Sequence, residues 1–546
     1  MASVQVRYGE FANDLHRTGD HAMQTFVSRH QPQIQGTLSG FDRLRFLGTL
    51  RRLSYVNGLA AFLAVTGVLF KDFGEFMLSL SQRIKRASEQ LAQATPSGRV
   101  HYLAAASQSK EDFVRALPAP EHPGPSGLIA VLSCVEPCQS YEVHRNPKTQ
   151  HLELRPDLRK CLHYYFYLDH PIFGPMHLRL QTWVPFSIKI VLNGRDWLAR
   201  QLDTEHIGYW KRDNTFLSVD DWDRAQALLD DQLQVNWPMA WDELVRRFHP
   251  IHAEWMPASY PVNYYWSVDQ SEWATDVVFR TPADLAALYP RLVHHAITTF
   301  GSRDVLQFLQ QKVPAQGGLY GSFAGEIVSD LKERPEGMRV KHAYGLNSLK
   351  QYDKFGQVLR LETTIHDAKG LMVYRPKGDV PAGPLAWQPL RKGIADLHRR
   401  CELSQAANER YLEALALVDS PTPLGQLGGP LCQPVVRAGR RYRGLNPLGD
   451  EDARLLGLVQ RGEYLITGFR NRDLRQALYG DRCHDPAIHR QQSGRVSRLL
   501  ALLRAHGLIQ KIPKTHRYQV TARGREQIAA ILAARAAGVE KLVAAA

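Results

Sequence analysis

The stretch NSLKQYDKFGQVLRLETTI, residues 347–365, decides which fold is expected for the middle of the chain. Apolar and polar side chains alternate from Val358 to Ile365, which is the pattern of a half-buried strand. Residues 347–354 alternate in the same way, and Phe355 and Gly356 lie between the two runs. The stretch therefore predicts a β-hairpin that turns at Phe355 and Gly356.

The length of this turn determines which reactive side chains meet. Two turn residues would place Asp353 on the face of Glu362, whereas three would place Tyr352 there, because one step of register reverses every side chain. Charged ladder pairs stabilise a sheet by only tenths of a kcal/mol, so the strands alone are explained without any activity. The hairpin nevertheless concentrates residue types suited to catalysis: Tyr352, Asp353, Lys354, Arg360 and Glu362.

Proline- and glycine-rich breaks divide the rest of the chain. ALPAPEHPGPSG, residues 116–127, closes a mostly helical region over residues 1–116. DSPTPLGQLGGPLCQP, residues 419–434, precedes a module over residues 435–546. The body between them, residues 128–418, alternates strand-like runs such as CLHYYFYLD with helical stretches, and could split into two domains near residues 196–256. No internal repeat is visible in the sequence.

Positive charge is concentrated at the C-terminal end. The formal net charge of the chain is +14, and residues 431–546 hold 21 Lys and Arg against 9 Asp and Glu, a net charge of +12. Such a surplus in one module predicts a surface that binds a polyanion such as DNA.

The order of elements predicted for this module is three helices, two short strands and a further helix. The string LLRAHGLIQKIPKTHRYQVTARGRE resembles the recognition helix, wing and following helix of MarR- and PadR-like DNA-binding domains. The resemblance implies a helix in the major groove and a wing on the adjacent backbone, and RAGRRYRG could clamp the phosphates. The side chains then expected to contact DNA are Arg437, Arg440, Arg441, Arg443, Arg490, Gln491, Gln492, Arg495, Arg498, Lys511, Lys514 and Arg517. The expected fold class is thus α+β multidomain, with a helical N-terminal region, a mixed strand-rich central body and a C-terminal winged helix.

The central hairpin carries a second resemblance. YDK in its first strand and LRLE in its second are similar to a segment of rolling-circle replication initiators of the Rep_trans and filamentous-phage gene II kind. The likeness implies that Asp353 and Glu362 bind Mg²⁺ or Mn²⁺, and that Arg360 with Lys350 or Lys354 holds a phosphate. Tyr352 would then attack the phosphorus. The alternative is a hairpin that serves the fold or only contacts nucleic acid.

Other side chains have the chemistry of metal ligands. The acidic pairs Glu272 with Asp276 and Glu326 with Asp330 are four residues apart, a spacing at which most pairs are solvated. A tetrahedral zinc site is predicted by the CxxxC and CxH spacings, although free cysteines are often simply buried. The zinc candidates are Cys134, Cys138, Cys161 and His163.

The sequence also bears on location. Six cysteines in 546 residues indicate no disulfide framework, and the first residues have no apolar stretch of signal-peptide kind, so a cytoplasmic protein is expected. The longest uncharged run, Tyr55 to Phe70, is shorter than a bilayer requires and is expected to form a buried helix, so no membrane partner is expected.

These features together favour a DNA-binding protein, in the sharper form a metal-dependent DNA nicking or strand-transfer enzyme, or a replication-initiation protein, of a mobile element. Two other functions stay open: a non-catalytic transcriptional regulator, and an RNA-binding component of a ribonucleoprotein, suggested by aromatic side chains on strands. Duplex DNA is the first expected partner and RNA the alternative, and a homodimer stays open. The sequence has no Walker A loop, dinucleotide fingerprint or Ser-His-Asp elbow, which disfavours those nucleotide-driven motors and hydrolases.

Overall fold

The structure is a computed structural model. It describes residues 24–118, 127–254, 260–298, 327–376, 385–416, 424–460, 468–480, 485–512 and 516–536, together with residues 300, 305, 306, 308 and 309.

One large antiparallel sheet organises the first three quarters of the chain. Its strands are β1 (Ile34–Leu50), β2 (Val100–Leu103), β3 (Leu128–Arg145), β4 (Leu152–His170), β5 (Gly174–Gln181), β6 (Ile188–Asn193), β9 (Tyr264–Phe279), β10 (Ile327–Arg334), β11 (Gly337–Tyr344), β12 (Asn347–Lys354) and β13 (Val358–Ile365). Their spatial order is β10-β11-β12-β13-β9-β1-β6-β5-β4-β3-β2. Only β2 departs from the antiparallel pattern, since it pairs with β3 in parallel.

The remaining elements are helices and short hairpins. The helices are α1 (Gln24–His30), α2 (Val56–Val65), α3 (Phe73–Ala92), α4 (Lys110–Arg115), α5 (Gly194–Thr204), α6 (Trp222–Asp230), α7 (Trp237–Phe248), α8 (Pro250–Glu254), α9 (Pro282–Thr298), α10 (Leu397–Leu415), α11 (Leu424–Cys432), α12 (Asp450–Val459), α13 (Asn471–Tyr479), α14 (Pro486–Ala505) and α15 (Ala522–Ala536). The short strands pair in sequence as β7 (Tyr209–Arg212) with β8 (Thr215–Val219), β14 (Met372–Pro376) with β15 (Leu385–Pro389), β16 (Val435–Arg437) with β17 (Arg440–Tyr442), and β18 (Ile509–Lys511) with β19 (Tyr518–Val520).

The large sheet contains the same topology twice. In one half, β3 to β6 form a meander whose last strand pairs with the long strand β1. In the other half, β10 to β13 form a meander whose last strand pairs with the long strand β9. The two long strands pair with each other antiparallel along their whole length and join the halves. This repetition lies in the topology and was not visible in the sequence.

One face of the sheet is the core face. In the N-terminal half Phe46 packs against Trp237 and Trp241 of α7, with ring centroids 5.2 Å apart in both pairs. In the C-terminal half Leu349 and Leu361 are buried with residues of α9 and α10. The opposite face carries most of the charged side chains of the central strands, and we call it the polar face. It is defined by Arg43, Glu272, Lys350, Tyr352 and Glu362, which the register places on one side.

The N-terminal region differs from the prediction. Residues 1–116 were expected to be mostly helical and separate from the body, but β1 is a central strand of the sheet. The core of the N-terminal half runs from Leu38 to Cys401 and crosses the predicted boundary. The reason is that β1 alternates only in part, with five consecutive buried residues, so its sequence does not show the period of a half-buried strand.

The C-terminal module has an apolar core of its own. Leu456, Phe469, Val496, Leu503 and Ile528 are buried together, and they come from three helices, α12, α14 and α15, and the segment before α13. Phe469 also forms an isolated bridge with Tyr518 of β19, which adds a short third strand to the hairpin. The element order expected for the described part of this module is therefore present, and the elements pack as one unit.

Among the described residues, no single helix has the length and apolarity needed to cross a membrane. The two helices Val56–Val65 and Phe70–Ala92 would meet that test only as a pair, and they are bent by 99°.

Candidate functional site

Three carboxylates from three strands converge on the polar face. Asp42 of β1, Glu272 of β9 and Glu362 of β13 each offer an oxygen, and these oxygens lie within 4.8 Å of one another. We call this set the carboxylate cluster. A register shift in β1 between Phe41 and Arg43 brings Asp42 into it, because two residues of β1 then oppose Glu272.

A buried ion-pair network holds one side of the cluster. Arg360 of β13 is fully buried and binds Asp276 with two hydrogen bonds of 2.6 and 2.9 Å. Its guanidinium also lies 3.6 Å from Asp42, and Arg195 at the start of α5 lies 3.0 Å from Asp276. Two arginines thus face two aspartates in the interior, where an unpaired charge would be costly.

The turn of the β7–β8 hairpin covers this network. Asn214 donates from its side chain to both oxygens of Asp42, at 2.9 and 2.7 Å, and its carbonyl accepts from Arg360 at 2.7 Å. Asn193 donates to Asp42 as well, at 3.3 Å. Burial opposes the charge on Asp42, but Arg360 and Arg195 outweigh burial and lower the pKa of this carboxyl. Asp42 is therefore held as an oriented carboxylate.

Lys350 occupies the other side of the cluster. Its ammonium donates to Glu362 and lies 3.9 Å from Glu272. Burial would lower the pKa of Lys350, but Glu362 and Glu272 outweigh burial and raise it. Burial and the neighbouring Glu362 raise the pKa of Glu272. Lys350 is thus the internal counter-ion of two close carboxylates.

Tyr352 lies next to Lys350 on the same face. It is buried, with 8% of its surface exposed, opposite Arg360 on β13 and Arg339 on β11. The ammonium of Lys354 lies 5.1 Å from the centre of its ring. Burial and the charge of Glu362 raise the pKa of Tyr352 to about 12, so its hydroxyl is protonated at neutral pH.

The predicted pair of metal ligands, Asp353 and Glu362, is wrong. Three residues, Phe355 to Gln357, join β12 to β13, and Lys354 pairs with Val358. This register places Tyr352 with Glu362 and sends Asp353 to the core face, where it pairs with Leu359. Burial raises the pKa of Asp353. The two carboxylates therefore cannot hold one ion, and Glu272 and Asp42 take the place expected for Asp353.

The other acidic pairs separate in the same manner. Glu272 joins the carboxylate cluster, whereas Asp276 is used by Arg195 and Arg360. Asp330 pairs with Arg339 at 3.1 Å on the outer strands, and Glu326 lies outside the described residues. Lys354, expected to hold a phosphate, lies 3.4 Å from Glu336.

Other cations and one acid extend the polar face toward the N-terminal half. Asp269 of β9 lies 3.3 Å from Lys189 of β6 and 3.9 Å from Arg45 of β1. Arg43, beside the cluster, is exposed. Partial desolvation by the surrounding atoms opposes the charge of Arg43, but Glu272, Asp42 and Glu362 outweigh this effect and raise its pKa. Beside the acidic cluster lie cations able to contact a polyanion.

The predicted zinc set is divided. Cys138 and Cys161 form a disulfide between β3 and β4, with Cα atoms 6.5 Å apart. The four-ligand site predicted from the spacing is therefore not formed in this state. Cys134 is a buried free cysteine whose thiol lies 3.8 Å from the carbonyl of Val135. Along a strand, residues two apart do share a face as predicted, but this proximity allowed a disulfide as well as a metal.

The arginines expected to contact DNA fall into two groups. Arg443 forms two hydrogen bonds of 2.7 Å with Asp452, Arg437 donates to the carbonyl of Arg504, and Arg517 donates to that of Gly468 at 3.0 Å. These three hold the module together. The second group consists of Arg440, Arg441, Arg490, Gln491, Arg495, Arg498 and Lys511, which are exposed, and Gln492, which is half-buried. Arg437 and Arg443 of the first group are exposed as well. Lys514 lies outside the described residues.

Two arginines of the second group also have partners. Arg495 lies 3.4 Å from Glu451 of α12, and the guanidinium of Arg440 lies 5.5 Å from the centre of the Tyr442 ring. Exposed contacts of this kind are weak, so both cations can still bind a phosphate. Arg490 lines a cleft on the N-terminal half of α14 together with His489, Ser493 and Ser497.

Comparison with protein-family models, with curated proteins and with solved structures found no match to this chain.

Proposed function

We propose that this protein binds duplex DNA through its C-terminal module and cuts or transfers one DNA strand at the carboxylate cluster. The observation that carries the proposal is the convergence of Asp42, Glu272 and Glu362 beside Tyr352 on one face of the sheet. Carboxylate oxygens are the ligands that Mg²⁺ and Mn²⁺ prefer. A divalent ion there would polarise a phosphoryl oxygen.

Tyr352 is the proposed nucleophile. Its oxygen forms a bond to phosphorus while the bond from phosphorus to one sugar oxygen breaks, which leaves a phosphotyrosine and a free sugar hydroxyl. The phenolic proton must leave first, and the raised pKa opposes this step in the metal-free protein. The charge that raises this pKa comes in part from Glu362, so neutralising the cluster with a cation favours the phenolate.

Lys350 has a second role in the proposed reaction, as a phosphate-binding cation. A metal ion on Glu272 and Glu362 would displace the ammonium, which could then contact the phosphate together with Arg43. Arg360 is not the phosphate-binding group, because it is fully buried and committed to Asp276 and Asp42. It positions Asp42 instead.

The C-terminal module supports the DNA-binding part of the proposal by its element order and charge. Its helices α12 to α14, the β18–β19 hairpin and α15 follow one another as in a winged helix. We assign α14 to the major groove, with Arg490, Gln491 and Arg498 as the contacts, since all three are exposed on it. Arg440 and Arg441 lie at the tip of the β16–β17 hairpin and can reach the backbone.

The test is a nicking assay on supercoiled DNA with Mg²⁺ or Mn²⁺. We expect Tyr352→Phe, Glu362→Gln and Glu272→Gln each to lower the rate by about 100-fold or more, since each removes a reacting or ligating group. Asp353→Asn is the matched control, because Asp353 is the neighbour of Tyr352 on the opposite face and its variant should stay active. Wild-type protein that leaves the DNA intact with both metals would contradict the catalytic part.

A binding assay tests the other part separately. The affinity of Arg490→Ala/Arg498→Ala for a labelled duplex should fall at least tenfold. Its dependence on salt should be shallower, because a protein that makes fewer phosphate contacts releases fewer counterions when it binds. Arg535→Ala, which removes an exposed ion pair with Asp450 on α15 and α12, is the control. Equal affinity of wild type and the double variant would contradict the assignment of α14.

The alternative of a non-catalytic regulator is favoured by one observation, the balance of charge around the cluster. Asp42, Glu272, Glu362 and Asp276 face four cations, namely Arg43, Arg195, Lys350 and Arg360. The RNA-binding alternative has less support, because Tyr165, Tyr167 and Trp266 are buried and only Tyr265 has substantial exposure. Duplex binding without nicking would select the regulator.

A further inference from the structure

The disulfide lies in a setting that also suits a metal ion. Cys138, Cys161 and His163 are all buried, and one ligand atom from each lies within 4.8 Å of the others. Cys138 and Cys161 lie diagonally across β3 and β4, since Cys138 pairs with Arg159 and Cys161 with Glu136. Their Cα separation of 6.5 Å is near the upper end of the range for a disulfide, about 4.4–6.8 Å. A bridge through a metal, with bonds of about 2.3 Å to each sulfur, fits such a separation as well.

His163 is the second, independent observation. Its side chain is fully buried, and Nδ1 lies 3.1 Å from the carbonyl of Cys161. A carbonyl only accepts, so Nδ1 carries the proton and Nε2 has a free lone pair. Nε2 has no hydrogen-bond partner among the described residues. A buried imidazole whose Nδ1–H is held by a carbonyl is the arrangement found in metal-ligating histidines.

We propose that the reduced protein binds one zinc ion through Cys138, Cys161 and His163, and that the disulfide and the zinc site are alternative states of this position. Two thiolates and an imidazole are soft and intermediate donors that select zinc over magnesium. Three protein ligands leave the fourth position to water. The site is distinct from the carboxylate cluster and does not depend on the proposed DNA chemistry.

A dithiol reductant converts the disulfide between Cys138 and Cys161 into the zinc-binding form. The reductant supplies two electrons and two protons, the S–S bond breaks, two cysteine thiols form, and the reductant becomes a disulfide. Zinc then binds both sulfurs as thiolates and releases the two protons to solvent. Oxidation of the metal-bound thiolates by a disulfide re-forms the bond between Cys138 and Cys161 and expels the ion.

The exchange between disulfide and zinc takes place beside the contact that joins α4 to the large sheet. Glu136 lies between Cys134 and Cys138 on the same face of β3, and binds Lys110 of α4 at 2.9 Å and Arg179 of β5 at 2.8 Å. Tyr165 of β4 donates to it at 2.7 Å. A change in the spacing of Cys138 and Cys161 therefore bears directly on how α4 is fixed to the sheet.

The experiment uses the full-length protein in oxidised and dithiothreitol-reduced forms, each incubated with zinc and desalted. Metal content and free thiols are then measured for both. We expect two additional thiols and about one additional zinc ion per chain in the reduced form. Cys432→Ser, which removes an exposed free cysteine, should behave as wild type, whereas Cys138→Ser/Cys161→Ser should lose the additional ion.

Cobalt provides a measurement that does not rely on a variant. Cobalt(II) added to the reduced wild type should give the thiolate-to-cobalt charge-transfer absorption of a tetrahedral site, and zinc should abolish it. Equal zinc content in both redox forms, no additional thiols after reduction, or an absorption without thiolate character would each overturn the proposal. Nicking activity is not a readout here, so failure of this proposal leaves the carboxylate cluster untouched.

Discussion

The two halves of the large sheet share a topology but differ in what their polar faces do with charge. In the N-terminal half Glu136 is surrounded by three donors, Lys110, Tyr165 and Arg179, and a disulfide lies beside it. At the junction with the C-terminal half, Glu272 and Glu362 lie close together and share the ammonium of Lys350, and Gln270 also donates to Glu272 at 2.9 Å. An acid with three donors of its own stabilises the fold, whereas two close acids that share one ammonium are suited to take up a metal ion in its place.

The carboxylate cluster lies where the central strands of the two halves meet. β1 and β9 each contribute one carboxylate, Asp42 and Glu272, and β13 contributes Glu362. The cluster therefore requires both halves, and neither meander could form it alone. The buried arginines of the network, Arg195 and Arg360, likewise join α5 to β9 and β13 to β1. Chemistry at the junction of two repeated units is a common outcome, because new side-chain combinations occur there.

The largest effect should follow from breaking this junction. Arg360→Ala leaves the buried carboxylates of Asp276 and Asp42 short of a partner, so we expect the free energy of unfolding to fall by about 3–5 kcal/mol. Arg155→Ala in the N-terminal half removes an exposed ion pair with Glu142 and should leave the free energy of unfolding nearly unchanged. Urea denaturation compares the two. Similar losses in both variants would mean that the network does not hold the halves together.

The next effect concerns pH. Burial opposes the charge of Glu136, but Lys110, Tyr165 and Arg179 outweigh burial and lower its pKa from 4.5 to about 2. A lowered folded-state pKa stabilises above the ordinary value, and this contribution is lost as pH falls from 4.5 toward 2. We expect about 2 kcal/mol from Glu136 after allowance for solvent screening.

Glu272 should show the opposite slope. Its pKa is raised, so its contribution is present below 4.5 and is lost as pH rises through the folded-state pKa. Denaturation midpoints would be measured between pH 3 and 8. The midpoint of Glu136→Gln should lie below that of wild type near neutral pH and approach it as the pH falls. The midpoint of Glu272→Gln should rise relative to that of wild type as the pH increases toward neutral. Parallel curves for the two variants would contradict the difference between the halves.

The sequence anticipated the hairpin but left its register open, and the register decides the site. Phe355 and Gly356 both have a left-handed backbone, with φ of 57° and 75°, and Gln357 completes a three-residue loop. Glycine readily adopts this conformation, but a phenylalanine is rarely found at positive φ, so no residue pattern favoured this loop. The choice between Tyr352 and Asp353 therefore depended on tertiary structure.

The partners of Glu362 in the carboxylate cluster could not be predicted from the sequence, for a different reason. Asp42 and Glu272 are 230 positions apart, and Asp42 reaches the cluster through an irregularity in β1 that no alternation pattern reveals. The sequence predicts Glu272 as a ligand together with Asp276, because the two are four residues apart, and this spacing carries no information about Asp42 or Glu362. The C-terminal module shows the converse limit: its net charge was plain from composition, yet Arg443 and Arg437 are engaged by Asp452 and the carbonyl of Arg504 within the module.

The smallest expected effect tests the most specific feature of the junction, the lysine that serves as counter-ion. Lys350→Met removes the ammonium that a metal ion must displace, so we expect Mn²⁺ to bind about fivefold more tightly at pH 8, about 1 kcal/mol. The nicking rate should nevertheless fall, because the displaced ammonium is then missing from the phosphate. Titration of Mn²⁺ followed by electron paramagnetic resonance measures the affinity.

Lys341 is the matched control for that experiment. It lies directly opposite Lys350 on β11, on the same face, and its pKa is lowered by burial and by Lys350. Lys341→Met removes the same charge from the same face without touching either glutamate, so its Mn²⁺ affinity should change less than about twofold. If both variants bind Mn²⁺ more tightly by the same factor, the affinity depends on the total charge of the polar face and not on the contacts of Lys350 with the glutamates. If Lys350→Met weakens binding, the lysine orients the carboxylates rather than competing for them.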